Sequence, residues 1–412
     1  MFSNGWDIWH SDCSRRATER NFVNQFRFRF IYEDPVIMRN TTRAIIAAAI
    51  VAAAPRLLLA ADAPAAPAPA PPAVPALGDL LTGWGLTVSG DIAASYYHSN
   101  GYPGGGFREF DQDHDSFQLD EAGLQIGYQP KQGIGGYVDI IAGTDAQILN
   151  EAEGNDGNSV DVRQAYLQYA TGPLTVIAGK FVTLAGAEVI NPSQNTNFSR
   201  SLLFTQLEPL DHTGFRATYA VTDTVSVIVG VNNGWNSTDT NFGSKTGEFG
   251  ATYAPNKMLS FAATGYFGKT ADGVDLSLMD FVGTYNVTSA LTLILNVDAL
   301  QTSGDFSSHS HQNGFAAYAN YGFNDNWRLS VRTEYINFVN YGHEIEGTVT
   351  VGYSPVKNFE IRGELRYDKL SDGLFDSGYA YTRAYNSYEE EDTLANNNSE
   401  FAIQGVYKFS LP

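Results

Sequence analysis

From Leu80 onward the chain alternates apolar and polar residues with a period of two. In 358–368, NFEIRGELRYD, one face carries Phe359, Ile361, Gly363, Leu365 and Tyr367, and the other carries Glu360, Arg362, Glu364, Arg366 and Asp368. In 344–353, Ile345, Gly347, Val349, Val351 and Tyr353 oppose Glu344, Glu346, Thr348 and Thr350. Side chains of a strand point alternately to its two faces, so strict alternation marks a strand whose sides meet different media. Sixteen such segments are expected, starting near residues 84, 116, 134, 160, 174, 212, 225, 246, 258, 276, 290, 312, 327, 343, 358 and 399. A count of fourteen or eighteen is also compatible with the pattern.

A repeated ending says what the two media are. The even-numbered segments each close on an apolar-face tyrosine just before a short turn: Tyr128 (YQPKQG), Tyr169 (YATGP), Tyr219 (YAVTD), Tyr253 (YAPNK), Tyr285 (YNVTS), Tyr321 (YGFND) and Tyr353 (YSPVK). The last segment has Tyr407 and Phe409 at the same place. A soluble β-sandwich, propeller or solenoid has no reason to set tyrosine at one end of every hairpin. A bilayer does, because amphipathic rings settle at the headgroup level. Lipid cannot satisfy an open sheet edge, so the strands must close. The expected fold is all-β, a transmembrane antiparallel up-and-down β-barrel of about 16 strands with short periplasmic turns and long outer loops. A barrel of that size encloses a lumen wide enough for water.

Composition narrows the partners. The 412 residues carry a net charge of −20, so the chain lacks the basic face that nucleic acid requires. Expected partners are outer-membrane lipid, lipopolysaccharide and the barrel-assembly machinery; association into a homo-oligomer stays open. No apolar run reaches the ~20 residues of a transmembrane helix. Residues 1–37 read as a non-native upstream extension ahead of a start at Met38. Residues 38–61 read as a signal peptide with Arg39 and Arg43 before an apolar core, 62–79 as an Ala/Pro-rich periplasmic linker, and 80–412 as the barrel. The single cysteine, Cys13, precedes that signal, so no disulfide or thiolate metal site is expected in the mature chain.

The connection 183–211, containing NFSRSLLFTQLEPLD, is too long for an ordinary loop of a compact fold. In a wide barrel it can fold inward, with Arg200 and Glu208 lining a constriction and Leu202, Leu203 and Phe204 anchoring it to the wall. The alternatives are a solvated outer loop or a latch between subunits. The polar strand faces place Lys180, Arg216, Arg328, Arg332, Arg362 and Arg366 toward the lumen. They do the same for Asp91, Glu121, Glu248, Asp280 and Asp298, and for Glu334, Glu344, Glu346, Glu360 and Glu364. Opposed charges in a water-filled pore set a transverse field and bias ion passage; paired across strands, they would instead hold the wall. The acidic excess leans toward cations, whereas the arginines of the thirteenth and fifteenth strands could build a local anion site.

Four stretches, GKFVTLAGAE (179–188), NFSRSLLF (197–204), PLDHTGFRATY (209–219) and VGVNNGWN (229–236), resemble the second family of β-barrel porins, the OmpL-like outer-membrane porins. The resemblance extends with lower specificity over most of 80–412. It implies passive diffusion through a pore and no catalytic motif or cofactor.

Weaker signals lie elsewhere in the chain. DQDHDS (111–116) starts like a calcium loop but lacks the glycine at its sixth place and the glutamate at its twelfth; with YEEED (388–392) it reads as solvated acid, and no metal site is expected there. Asp211–His212 beside Ser199 and Ser201 invites a hydrolase reading that linear spacing does not support. Trp235 reads as an interfacial girdle residue. The functional expectation is an outer-membrane diffusion porin for ions and small hydrophilic solutes, with a plugged structural or adhesion barrel as the alternative.

Overall fold

The computed structural model describes residues 81 and 83–411, apart from 101–107, 112, 156, 239–242, 271–273, 305–306, 340–341 and 372–396. The expectations for 1–37, 38–61, 62–79 and YEEED fall outside those residues.

Sixteen strands follow in order: β1 (Leu86–Ser99), β2 (Ser116–Tyr128), β3 (Gly133–Ala142), β4 (Val160–Thr171), β5 (Leu174–Val182), β6 (Asp211–Ala220), β7 (Val225–Asn232), β8 (Thr246–Tyr253), β9 (Leu259–Lys269), β10 (Asp275–Asn286), β11 (Leu291–Gly304), β12 (Ser307–Gly322), β13 (Trp327–Phe338), β14 (Gly342–Val356), β15 (Phe359–Leu370) and β16 (Asn397–Leu411). Each pairs antiparallel with its sequence neighbours, and β1 pairs β16 from Val88↔Leu411 to Ser99↔Glu400, which closes the barrel. Helix α1 (Thr144–Ala152) lies between β3 and β4, and the one-turn α2 (Leu202–Gln206) between β5 and β6.

The strand starts agree with the alternation to within two residues except at β12, which begins at Ser307 rather than near 312. Its first residues, SSHSHQN, are polar on both faces and so carry no two-fold signal. The helix α1 was also invisible to a reading tuned to period two.

Apolar residues face outward. On β14, Ile345, Val349 and Val351 are exposed while Glu344, Glu346, Thr348 and Thr350 are buried. The eight tyrosines stand on this outward face beside apolar neighbours, as in Tyr253 beside Val225 and Phe261, or Tyr353 beside Trp327 and Ile361. The turns below them close on their own side chains. Asn256 Oδ1 accepts from the amides of Met258 and Leu259, Asn324 Oδ1 from those of Asn326 and Trp327, and Thr288 Oγ1 from those of Ala290 and Leu291. Asn and Thr mimic a backbone turn this way, which is why APNK, FND and VTS recur at one end of the hairpins.

Candidate functional site

The segment 183–210 leaves β5 and returns to β6 with its base tied by the Thr183 amide donating to the Leu210 carbonyl at 3.0 Å. Between these ends it reaches the inner wall of strands distant in sequence. Its apolar residues Leu202, Leu203 and Leu207 pack on Tyr266, Leu278, Tyr318 and Ile336 of β9, β10, β12 and β13. Phe204, Ile190 and Leu210 pack with Phe110 and with Ile141, Ala146 and Leu149 at the end of β3 and on α1. Ser201 starts α2 by accepting the Phe204 amide at 3.0 Å.

A backbone folded inside a barrel must find partners for its amides and carbonyls. Here the charged faces of β13 and β15 supply them. The arginines take carbonyls: Arg328 donates to Thr196 at 2.6 Å, Arg332 to Ser199 at 2.7 Å, Arg362 to Asn197 at 3.0 Å and Arg366 to Arg200 at 2.7 Å. The glutamates take amides: Glu364 accepts from Phe198 and Ser199 at 2.6 and 2.9 Å, and Glu334 from Leu202 at 2.7 Å. The alternating Arg and Glu of VRTE and IRGELR therefore bind the main chain of 195–202. Arg332, fully buried, also reaches Glu188 at 2.8 Å, Glu334 at 2.8 Å and Glu346 at 3.3 Å. The linear pattern gave no reason to single out Glu188; its one signal was its place at the end of GKFVTLAGAE.

The remaining charges fall into smaller groups. Arg216 pairs with Glu248 at 2.7 Å and lies 4.2 Å over the Phe181 ring. Lys180 contacts Glu153, and lies 3.2 Å from Asp161 and 3.7 Å from Asp211. Arg328 pairs with Glu360 at 2.6 Å, and both keep partial exposure. Glu208 meets Asp280 and Asp298 with their carboxylate oxygens within 4.8 Å of one another. Arg200 does not project as a free charge, because it donates to the carbonyls of Val189, Ile190 and Phe198 within its own segment. Thus Arg332, Glu334, Glu346, Arg362, Glu364, Arg366, Arg200, Glu208 and Asp298 are enclosed between wall and segment rather than spread over an open surface, and Glu344 is buried as well.

The chain matches the family described as "Putative beta-barrel porin-2, OmpL-like" over residues 85–409. The chain belongs to that porin family. No curated protein matches it in sequence. Solved structures share its fold at low identity. The trimer form of in-vitro folded OmpT, an outer membrane protein of Vibrio cholerae, is 13% identical with a TM-score of 0.54, covering 79% of this chain and 99% of that one. An anion-selective porin from Comamonas acidovorans is 10% identical with a TM-score of 0.52 over 79% and 99% of the two chains. The outer membrane channel DcaP of Acinetobacter baumannii is 14% identical with a TM-score of 0.50 over 79% and 97%. This OmpL-like porin is thus a closed barrel of the bacterial outer membrane.

Three minor readings can now be placed in the porin barrel. His212 is buried, its Nδ1 3.0 Å from the Gly234 carbonyl, while Ser199 Oγ accepts from Arg332 at 2.9 Å, so the two do not form a nucleophile–base pair. Trp235 packs against the inner cluster of Leu202 and Tyr266 instead of joining the girdle. Within DQDHDS, Asp111 turns to Arg108 at 3.3 Å and Asp115 to His98 at 2.6 Å, so its carboxylates diverge.

Proposed function

We propose that this OmpL-like porin passes ions and small hydrophilic solutes by diffusion, through a lumen narrowed by the 183–210 segment. The observation that carries the reading is the docking of that segment on the inner faces of β13 and β15. Below it, toward the short turns, Thr252, Ser260, Thr284 and Thr292 and the Arg328–Glu360 pair stay partly or fully exposed on the inner wall. Hydroxyls and one balanced ion pair suit a hydrated vestibule of low solute specificity. The partly exposed Arg328–Glu360 pair would meet a solute there, Lys180 would act through the carboxylates of Glu153, Asp161 and Asp211 around it, and the acidic excess favours cations.

Single-channel conductance of the refolded chain in a planar bilayer under a salt gradient tests this. Steady conductance with a cation-selective reversal potential is expected, and deletion of 195–207 should raise it severalfold. The near-complete burial of the inner arginines and glutamates favours a second reading, a plugged structural or adhesion barrel. A folded barrel that stays silent, and opens only on the deletion, would establish that reading instead. The outer-membrane location brings contact with lipid and lipopolysaccharide through the tyrosine-edged outer face, and insertion through the barrel-assembly machinery.

A further inference from the structure

One place where the segment meets the wall is built unlike the rest. At β13 and β15 every carboxylate that touches the segment sits among arginines. At β10 and β11 three carboxylates converge with no cation among them. Glu208 comes from the segment, Asp280 from β10 and Asp298 from β11; all three are at least nine-tenths buried. Among the described residues no lysine, arginine or histidine forms an ion pair with any of the three.

Their inner oxygens are already used. Asp280 Oδ1 accepts from the Gly186 amide at 3.2 Å and from Asn296 Nδ2 at 3.0 Å, and Asp298 Oδ1 accepts from Asn296 Nδ2 at 3.1 Å. Asn296 Oδ1 in turn accepts the Ala187 amide at 2.6 Å. These bonds orient the two aspartates and leave Asp280 Oδ2, Asp298 Oδ2 and both oxygens of Glu208 buried with no hydrogen-bond donor. Burying several carboxylate oxygens together without a compensating charge is costly. Glu208 reaches the two aspartates by packing against Gly186, whose φ is +90° and where a Cβ would stand 1.9 Å from Glu208 Oε2, so only a glycine there admits the carboxylate.

We propose that Glu208, Asp280 and Asp298 form a divalent-cation site, of the calcium type, that clamps the 183–210 segment to β10 and β11. The spacing fits the ion. Oxygens held at ~2.3–2.6 Å from one Ca²⁺ lie at most about 5 Å apart, and these all lie within 4.8 Å. Hard carboxylate oxygens with no nitrogen or sulfur donor suit Ca²⁺ over a transition metal. The ion would replace, at this contact, the arginines that hold the segment elsewhere. The site stands on the docking of the segment, and does not depend on whether the barrel conducts.

Equilibrium dialysis against CaCl₂ of the full refolded chain, stripped with EDTA, tests the proposal. The wild type should bind one equivalent more than Glu208→Gln and Asp298→Asn, or bind that equivalent at least tenfold more tightly. Refolding of the variants is checked by their heat-modifiable mobility on electrophoresis. Equal stoichiometry and affinity in wild type and folded variants overturns the site, and would mean that the carboxyls share protons. The wild type alone provides a second arm should the variants not fold. Crystals soaked in Tb³⁺ should show an anomalous peak between Glu208 and Asp298, and its absence at saturating Tb³⁺ overturns the proposal as well.

Discussion

At the scale of the residue, Arg332 shows how this interior is balanced. Its guanidinium serves the Ser199 carbonyl and hydroxyl while lying against Glu188, Glu334 and Glu346. Removing one partner of a buried charged network typically costs ~3–5 kcal/mol because the others remain buried and uncompensated. Arg332→Ala should therefore free the segment, seen as protease cleavage within 183–210 in a barrel that stays folded. Arg332→Lys should recover little, since an ammonium lacks the planar fork that spans a carbonyl and two carboxylates. Asp111, in the loop between β1 and β2, gives a pH handle. Burial pushes its carboxyl up to about 7, against the pull of Arg108 and with a further push from Asp120. Because this lies above the value of an unfolded Asp, its contribution favours the folded loop at low pH and is lost as pH rises through about 7. Measured against the intrinsic base-catalysed rate, the protection of the amides around 108–111 should fall as pH rises from the ordinary Asp value of 3.8 to about 7 in the wild type, and Asp111→Asn should remove that fall.

At the scale of the element, the segment and the barrel are held by different forces. The wall is closed by backbone ladders from β1 to β16, whereas α2 is seated by leucines on an apolar patch of the inner face. Leu203, fully buried, is central to that patch. Leu203→Ala should cost ~2–5 kcal/mol, charged to docking alone. The expected result is a noisier channel current with an unchanged midpoint for barrel unfolding. A lowered unfolding midpoint would mean that the segment is part of what closes the barrel. The apolar patch itself had a sequence signal. In DLSLMDFVG, Leu276 and Leu278 face in while Met279 and Phe281 face out, so the strand is apolar on both sides. A barrel strand that loses its polar face marks where something dry packs inside. Read that way, 275–283 would have located the docking site of the segment from the linear pattern.

At the scale of the whole molecule, the polarity of a soluble protein is reversed, with aliphatic residues outside and charges within. Val349, near the middle of β14 with Val331 and Leu365 beside it, faces outward. Val349→Arg should cost roughly 2–4 kcal/mol in lipid, measured by urea unfolding in phospholipid vesicles, and should leave ion selectivity unchanged. The same molecule shows what could be read early. The alternation, the tyrosine endings and the turn residues each answer to a local medium, lipid, interface or water, that a single strand senses without its neighbours. They located nearly every strand start and the closure of the sheet. The partners of Arg328, Arg332, Arg362 and Arg366 were beyond reach for a different reason. Polarity marked these side chains as inward-facing, but the carbonyls they hold lie more than a hundred residues earlier in the chain, and only the curvature of the closed barrel brings that segment across to them. The meeting of Glu208 with Asp280 and Asp298 was set in the same way. Sequence by itself determined which side of the wall each residue faces, because that depends on the solvent at its own position; the tertiary structure alone decided which inward residues meet, because that depends on distances across the lumen.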